Sequence, residues 1–317
     1  MSENVADVIP ARAAPSANGE PPVTDPRRRA VAPGAASFRK YALLIGFLQK
    51  AEIDAILSQL PVHVIGDARV EIEAALRARA DLDEYMPGAE TALPSALASA
   101  EAAIRARDVF QREYAAKGDY EFVSVPIDSL LAPQWQADLQ YVDELAQGLA
   151  ADGRQEDDFD FAFPQGSIAE PMISGNTLLF TSRSNDINIS PVPTYRPRDG
   201  GYDIVLRAEP RPNYVHVAKL DGRLILINGT HKVLALRKAR RTQVYALLRS
   251  VARQEELGLD LRASFFAPQS YFRASRPPLV RDFVGGSAVA VPCLWRATQN
   301  VFRVVVQVEP VIAPLVV

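Results

Sequence analysis

The residues with the greatest capacity for chemistry form one short run, Leu226-Ile227-Asn228-Gly229-Thr230-His231-Lys232-Val233-Leu234-Ala235. An apolar stretch that ends in Asn-Gly and passes directly into helix-forming residues predicts a buried strand delivering a glycine to the start of a helix. The first N–H groups of such a helix have no intrahelical acceptors, and the positive end of its dipole lies there, a combination that suits an anion. Gly229 lets the backbone turn sharply and approach a phosphate closely. Lys232 falls in the first turn, where its ammonium adds charge to the same anion. Thr230 offers a hydroxyl for capping or donation, and His231 a ring that donates to a phosphate or moves a proton near neutral pH. Asn228, Gly229, Thr230, His231 and Lys232 are therefore the candidate ligand-binding residues, with His231 and Lys232 also candidate catalytic ones. A tight strand-to-helix turn with a capping threonine explains the same letters without a ligand.

Positioning these residues requires a scaffold on either side. Residues 214–218 and 223–227 read as strands joined by Asp221-Gly222, a strong hairpin turn signal, followed by a helix over 230–241 and a strand over 244–249. Upstream, 122–127 reads as a short strand and 141–151 as a helix closed by Gly153. Residues 154–212, punctuated by Pro191, Pro193, Pro197, Gly200 and Gly201, read as a long irregular insertion facing the substrate. Asp157, Asp158 and Asp160 within it read as a solvated cluster in preference to a cation site.

The first part of the chain reads differently. Residues 1–37 are rich in Pro, Ala, Ser and Gly, carry the Arg27-Arg28-Arg29 run, and predict a disordered tail. Residues 38–118 predict a helical accessory block for docking or self-association. Phe38, Tyr41, Leu44, Ile45 and Leu48 share a helical face, and further helices are expected over 70–85 and 95–116, separated by Pro87, Gly88 and Pro94. His63 has no second histidine or cysteine nearby and reads as structural. Residues 255–317 predict a strand-rich segment packed back on the main domain.

Composition narrows the function classes. Hydrophobic residues make up 48% and charged residues 23%, which excludes a wholly disordered or fibrous chain. A net charge of -3 leaves no global positive field of the kind a dedicated nucleic-acid binder uses. The single cysteine, Cys293, forms no intramolecular disulfide, and with no apolar signal region at the start the expected compartment is the cytoplasm. No stretch approaches the roughly 20 apolar residues that span a bilayer. The expected fold class is α/β (α+β), a mixed sheet with helices.

Gly229, Lys232 and Ala235, with strands expected on either side, resemble the signature of the ParB/sulfiredoxin superfamily: a strand, a Gly-x-x-basic-x-x-Ala helix start and a following strand. Val125-Pro126-Ile127-Asp128-Ser129-Leu130, then Gln134 and the helix holding Glu144-Leu145, resemble that family's opening strand and first helix. The resemblance spans 119–254, interrupted by 154–212. It implies a nucleotide ligand (ATP, ADP or CTP) with Mg²⁺ at 228–232, and phosphoryl transfer or nucleotide hydrolysis. Sulfiredoxins carry Gly-Cys-His-Arg where this chain has Gly229-Thr230-His231-Lys232, so sulfinic acid repair is not expected. Chromosome-partitioning members pair a Gly-Glu-Arg-Arg motif with a helix-turn-helix domain. This chain has one basic residue there and a strand-rich tail, so specific DNA binding is not expected. Free serine kinases of the superfamily use an acid near the first helix as base, a role that would fall to Asp138 or Glu144. The alternatives are a non-catalytic ligand-sensing or protein-interaction scaffold, with partners or self-association through 38–118, and a ParB-like nuclease.

Overall fold

A computed structural model describes residues 37–59, 62–149, 153–166, 168–182, 187–190, 193–259, 266, 274–295 and 300–305. The chain opens with β1 (Ser37–Leu43), α1 (Lys50–Gln59), α2 (Val62–Ala80), β2 (Thr91–Ala92), α3 (Ala98–Arg105) and α4 (Asp108–Glu113). Next come β3 (Glu121–Pro126), β4 (Gln136–Asp138), α5 (Leu139–Gln147) and α6 (Gln155–Ala162). Six short strands follow: β5 (Met172–Ser174), β6 (Thr177–Ser182), β7 (Ile187–Ile189), β8 (Thr194–Arg198), β9 (Gly201–Val205) and β10 (Ala208–Pro210). The last elements are β11 (His216–Leu220), β12 (Arg223–Asn228), α7 (Thr230–Lys238), β13 (Gln243–Ser250), β14 (Val289–Trp295) and β15 (Asn300–Val305). The fold is mixed α/β.

The main sheet has the order β12-β11-β13-β3-β2, with β11 and β13 parallel and the other pairs antiparallel. The β11–β12 hairpin forms as its sequence predicts: Asp221 (φ 50) and Gly222 (φ 73) both take positive φ, the two-residue turn whose twist matches that of the strands. The core runs through Leu224, Ile225 and Leu226 of β12, Val233 to Leu236 of α7, and Val244, Ala246 and Leu247 of β13, all buried. Each of the Val, Leu and Ile side chains among them contributes about 1.5–3 kcal/mol on leaving water. α7 is thus gripped on most of its circumference, and its first turn is held rigidly against the sheet.

Gly229 makes that grip possible. Its φ is 101°, and a Cβ there would lie 3.1 Å from Val215 Cγ2 and 3.2 Å from Val215 Cα. Gly229→Ala is expected to destabilise the fold by about 2 kcal/mol through positive-φ strain and this backbone approach. Urea denaturation measures the change, and a loss under about 0.5 kcal/mol would show a turn that relaxes freely.

Several expectations are corrected. Residues 37–43 form a strand, β1, between β14 and β4, and not the start of a helix. Residues 42–48 are buried without interruption, and a continuous apolar run carries no period that separates strand from helix. The helix expected over 95–116 is broken into α3 and α4. α5 ends at Gln147, well before Gly153.

The segment 154–212 is not an irregular loop. α6 places Phe159 and Ala162 in the core, and β5 to β10 form hairpins and small sheets, with orders β15-β6-β5, β10-β7 and β8-β9. All three acids of the cluster lie on α6: Asp160 is exposed as expected and Asp157 meets Arg154 at the surface (3.0 Å), whereas Asp158 is largely buried in a pair with Arg241 at 2.8 Å. The C-terminal segment supplies β14 and β15 as expected. The tail at 1–36, the side chains of His63 and Cys293, and residues 306–317 lie outside the described residues. Among the described residues, no helix is long and apolar enough to cross a membrane.

Candidate functional site

β12 ends at Asn228, Gly229 occupies the cap position of α7, and Thr230 is its first helical residue. Thr230 is therefore not the cap; no side chain caps this helix. The N–H of Val233 donates to the Gly229 carbonyl (2.9 Å) and closes the first turn. The N–H groups of Thr230, His231 and Lys232 precede that turn and have no acceptor within the helix.

α5 packs beside α7, linked to it by the Lys238–Asp143 ion pair and by Asp138 N–H donating to His231 Nε2 (3.0 Å). Two positive helix ends therefore meet, and they are treated differently. Asp138 caps α5, its Oδ1 accepting from Tyr141 N–H (3.0 Å), whereas α7 has no such carboxylate. A negative charge is already supplied to one helix end and wanting at the other.

Lys232 is 8% exposed. Its Nζ donates to the Asn213 carbonyl and lies 5.9 Å from the centre of the Phe161 ring, and among the described residues no carboxylate pairs with it. Burial pulls its pKa down from 10.5 to about 8. Asn228 Nδ2 donates to Asn213 Oδ1 (3.1 Å) and to the Tyr214 carbonyl (2.9 Å), so Asn213 joins the lysine to the end of β12.

His231 points the other way, because consecutive helical residues project about 100° apart. Its Nε2 accepts a hydrogen bond, which leaves the neutral ring carrying its proton on Nδ1. Burial lowers its pKa, opposed by the nearby Asp138 carboxylate. The imidazole is thus a neutral donor at pH 7. The Tyr141 ring stands edge-on to it, centroids 5.4 Å apart and planes at 63°.

Asp138 Oδ2 accepts from Arg39 Nη1 (2.8 Å), and Arg39 Nη2 is 3.5 Å from Glu144 Oε1. The hydrogen bond to Asp138 is the main reason the Arg39 pKa is raised. Both oxygens of Asp138 are engaged, joining β1 to α5, and its main-chain N–H makes the link to α7. Glu144 is half exposed and keeps the more open carboxylate.

The residues singled out in the sequence gather at one end of the α5–α7 pair, on two flanks. Asn228 and Lys232 share the Asn213 flank; His231, Asp138 and Glu144 share the Arg39 flank; Gly229 and Thr230 lie between. Arg39, Asn213 and Tyr141 escaped the sequence reading. Arg39 sits in a segment whose local pattern suggested a helix, Asn213 at the edge of the supposed insertion, and Tyr141 reads locally as an ordinary helix residue.

Two other features bear on the chemistry available. Among the described residues, no group of three or more His, Cys, Asp or Glu side chains is placed to hold a metal ion. A separate cleft of about 490 Å³ is lined by Lys117, Asp119, Glu121, Arg249, Ser250 and Glu256, among others, none of which belongs to the α7 site. Comparison with known proteins gives no relative: no family model, curated protein or solved structure matches the chain.

Proposed function

We propose that the chain binds a phosphorylated ligand, foremost a nucleotide (ATP, ADP or CTP), at the start of α7, as a relationship to the ParB/sulfiredoxin superfamily would imply. The observation that carries this reading is Lys232: an ammonium taken out of water, with no carboxylate partner among the described residues, beside a helix end that no side chain caps. Burial of a charge without a counter-charge is unfavourable, and an anion on the free N–H groups supplies one.

In this reading Gly229 lets the chain turn from β12 into α7 against Val215, Lys232 holds one side of the phosphate while Asn228 braces Asn213 beside it, and His231 donates to it through Nδ1. Phosphoryl transfer or hydrolysis at such a site rests on positioning and charge stabilisation. Mg²⁺ would arrive on the ligand's phosphates, because Asp138 and Glu144 face Arg39. Glu144 is then the stronger candidate for a base. A nucleotide ligand fits a cytoplasmic protein.

Thermal unfolding of the wild type and of Lys232→Ala in ATP, ADP and CTP tests the site. A ligand at a hundred times its Kd stabilises by about 2.7 kcal/mol, a shift of several degrees. The wild type is expected to shift and the variant not; equal shifts overturn the proposed site.

A protein-interaction scaffold is the second reading, and a specific observation favours it. On the β8–β9 hairpin, Tyr195 pairs with Ile204 and Tyr202 with Pro197, which places all four on one face, and Tyr195, Tyr202 and Ile204 are each about two-thirds exposed or more. Contiguous exposed apolar groups of this kind mark contact surfaces. The ParB-like nuclease alternative draws less support, since Nε2 of His231 is occupied by the Asp138 N–H.

A further inference from the structure

Tyr141 is the third residue of α5, and its main-chain N–H is fixed by the Asp138 cap. Its ring meets the His231 imidazole edge-on at 5.4 Å, yet the residue remains 40% exposed. His231 is the second residue of α7 and contributes one of the main-chain N–H groups that no side chain caps. A partly exposed tyrosine therefore stands one side chain away from the proposed phosphate position, at the start of a neighbouring helix.

The other aromatic ring at the site differs. Phe161 is partly buried and lies toward the Lys232 ammonium, whereas Tyr141 keeps open surface.

We propose that Tyr141 is the platform on which the base of a nucleotide stacks, so that the ligand class at the α7 start is a nucleotide and not a free phosphate or a sugar phosphate. This rests on the anion-site reading above. The phosphates meet the α7 N–H groups and Lys232, and the base extends across His231 onto the open part of the Tyr141 ring. His231, held neutral with its proton on Nδ1, separates the two subsites without bringing a second positive charge. Stacking tolerates every base because each has a π face, so the site discriminates nucleotides from simple phosphates more strongly than one base from another.

The test compares ATP, CTP and tripolyphosphate by titration calorimetry on the full chain, in the wild type, Tyr141→Leu and Tyr141→Phe. Leucine keeps an apolar cover on His231 but offers no π face; phenylalanine keeps the face. The wild type is expected to bind ATP and CTP about tenfold more tightly than tripolyphosphate, a difference lost in Tyr141→Leu and kept in Tyr141→Phe. If tripolyphosphate binds the wild type as tightly as the nucleotides, or if the leucine variant keeps the preference, Tyr141 is not a base platform while the anion site stands. If none of the three probes binds the wild type, the anion site fails and the platform with it.

Discussion

Replacing Lys232 with methionine is expected to make the ligand-free protein more stable by about 2 kcal/mol while removing its response to phosphates. The sign follows from linkage. The pKa of Lys232 is about 8 in the fold against an ordinary 10.5, so between these values the unfolded chain binds more protons than the folded one. Stability therefore falls as the pH drops from 10.5 to about 8, and the full loss is present at pH 7. Two and a half pKa units correspond to about 3 kcal/mol. Methionine removes that burden at similar length, and loss of the bond to the Asn213 carbonyl returns about 1 kcal/mol of it. Urea denaturation at pH 7 measures the change, with ATP-dependent thermal shift run in parallel. A methionine variant markedly less stable than the wild type would mean that Lys232 has a counter-charge in solution and is a structural ion-pair partner.

The second large effect is acid sensitivity arising from His216. This imidazole is packed against the Tyr114 and Tyr120 rings, and its Nε2 is buried with no hydrogen-bond partner among the described residues. Desolvation, with a smaller contribution from the Arg249 charge, pushes its pKa from 6.5 down to about 4. The ring must fold neutral, so the associated stability is complete above pH 6.5 and is lost as the pH falls toward 4. The loss is about 3 kcal/mol. His231, whose pKa is also lowered, acts in the same direction. Urea unfolding midpoints from pH 7.5 to 4.5 should decline steeply in the wild type and more gently in His216→Phe, which keeps the aromatic packing without a titrating group. An identical decline in both proteins would place the acid-labile group elsewhere.

The parts of this molecule legible in its sequence are those written in neighbouring residues. Asp221-Gly222 between two apolar runs specifies the β11–β12 hairpin, and Asn228-Gly229 ahead of Thr230 marks the step from strand to helix. The turns Gly175-Asn176 and Asp199-Gly200 were equally visible signals for the β5–β6 and β8–β9 hairpins, but surrounding prolines and polar residues made the segment look irregular. β1 was hidden for a different reason. Its partners β4 and β14 lie far along the chain, and its buried run 42–48 fits strand and helix alike.

At the site, residue types could be read from the sequence but directions could not. His231 and Lys232 are adjacent letters whose side chains leave the helix on different flanks. The burial of Lys232 follows from tertiary packing alone: Lys232 to Leu236 are consecutive buried residues, so this helix has no broad solvent face on which a lysine could rest. Arg39 and Asp138 are 99 positions apart, a separation over which no local pattern speaks.

The position of β1 has a consequence for the chain during its synthesis. The ribosome releases Asn228 to Lys232 well before Val289–Trp295, the strand that flanks β1 on the side away from β4. A nascent chain can thus display the helix start and its lysine while the arginine-bearing strand still has an open edge. Full assembly of the His231 flank therefore waits for the synthesis of β14.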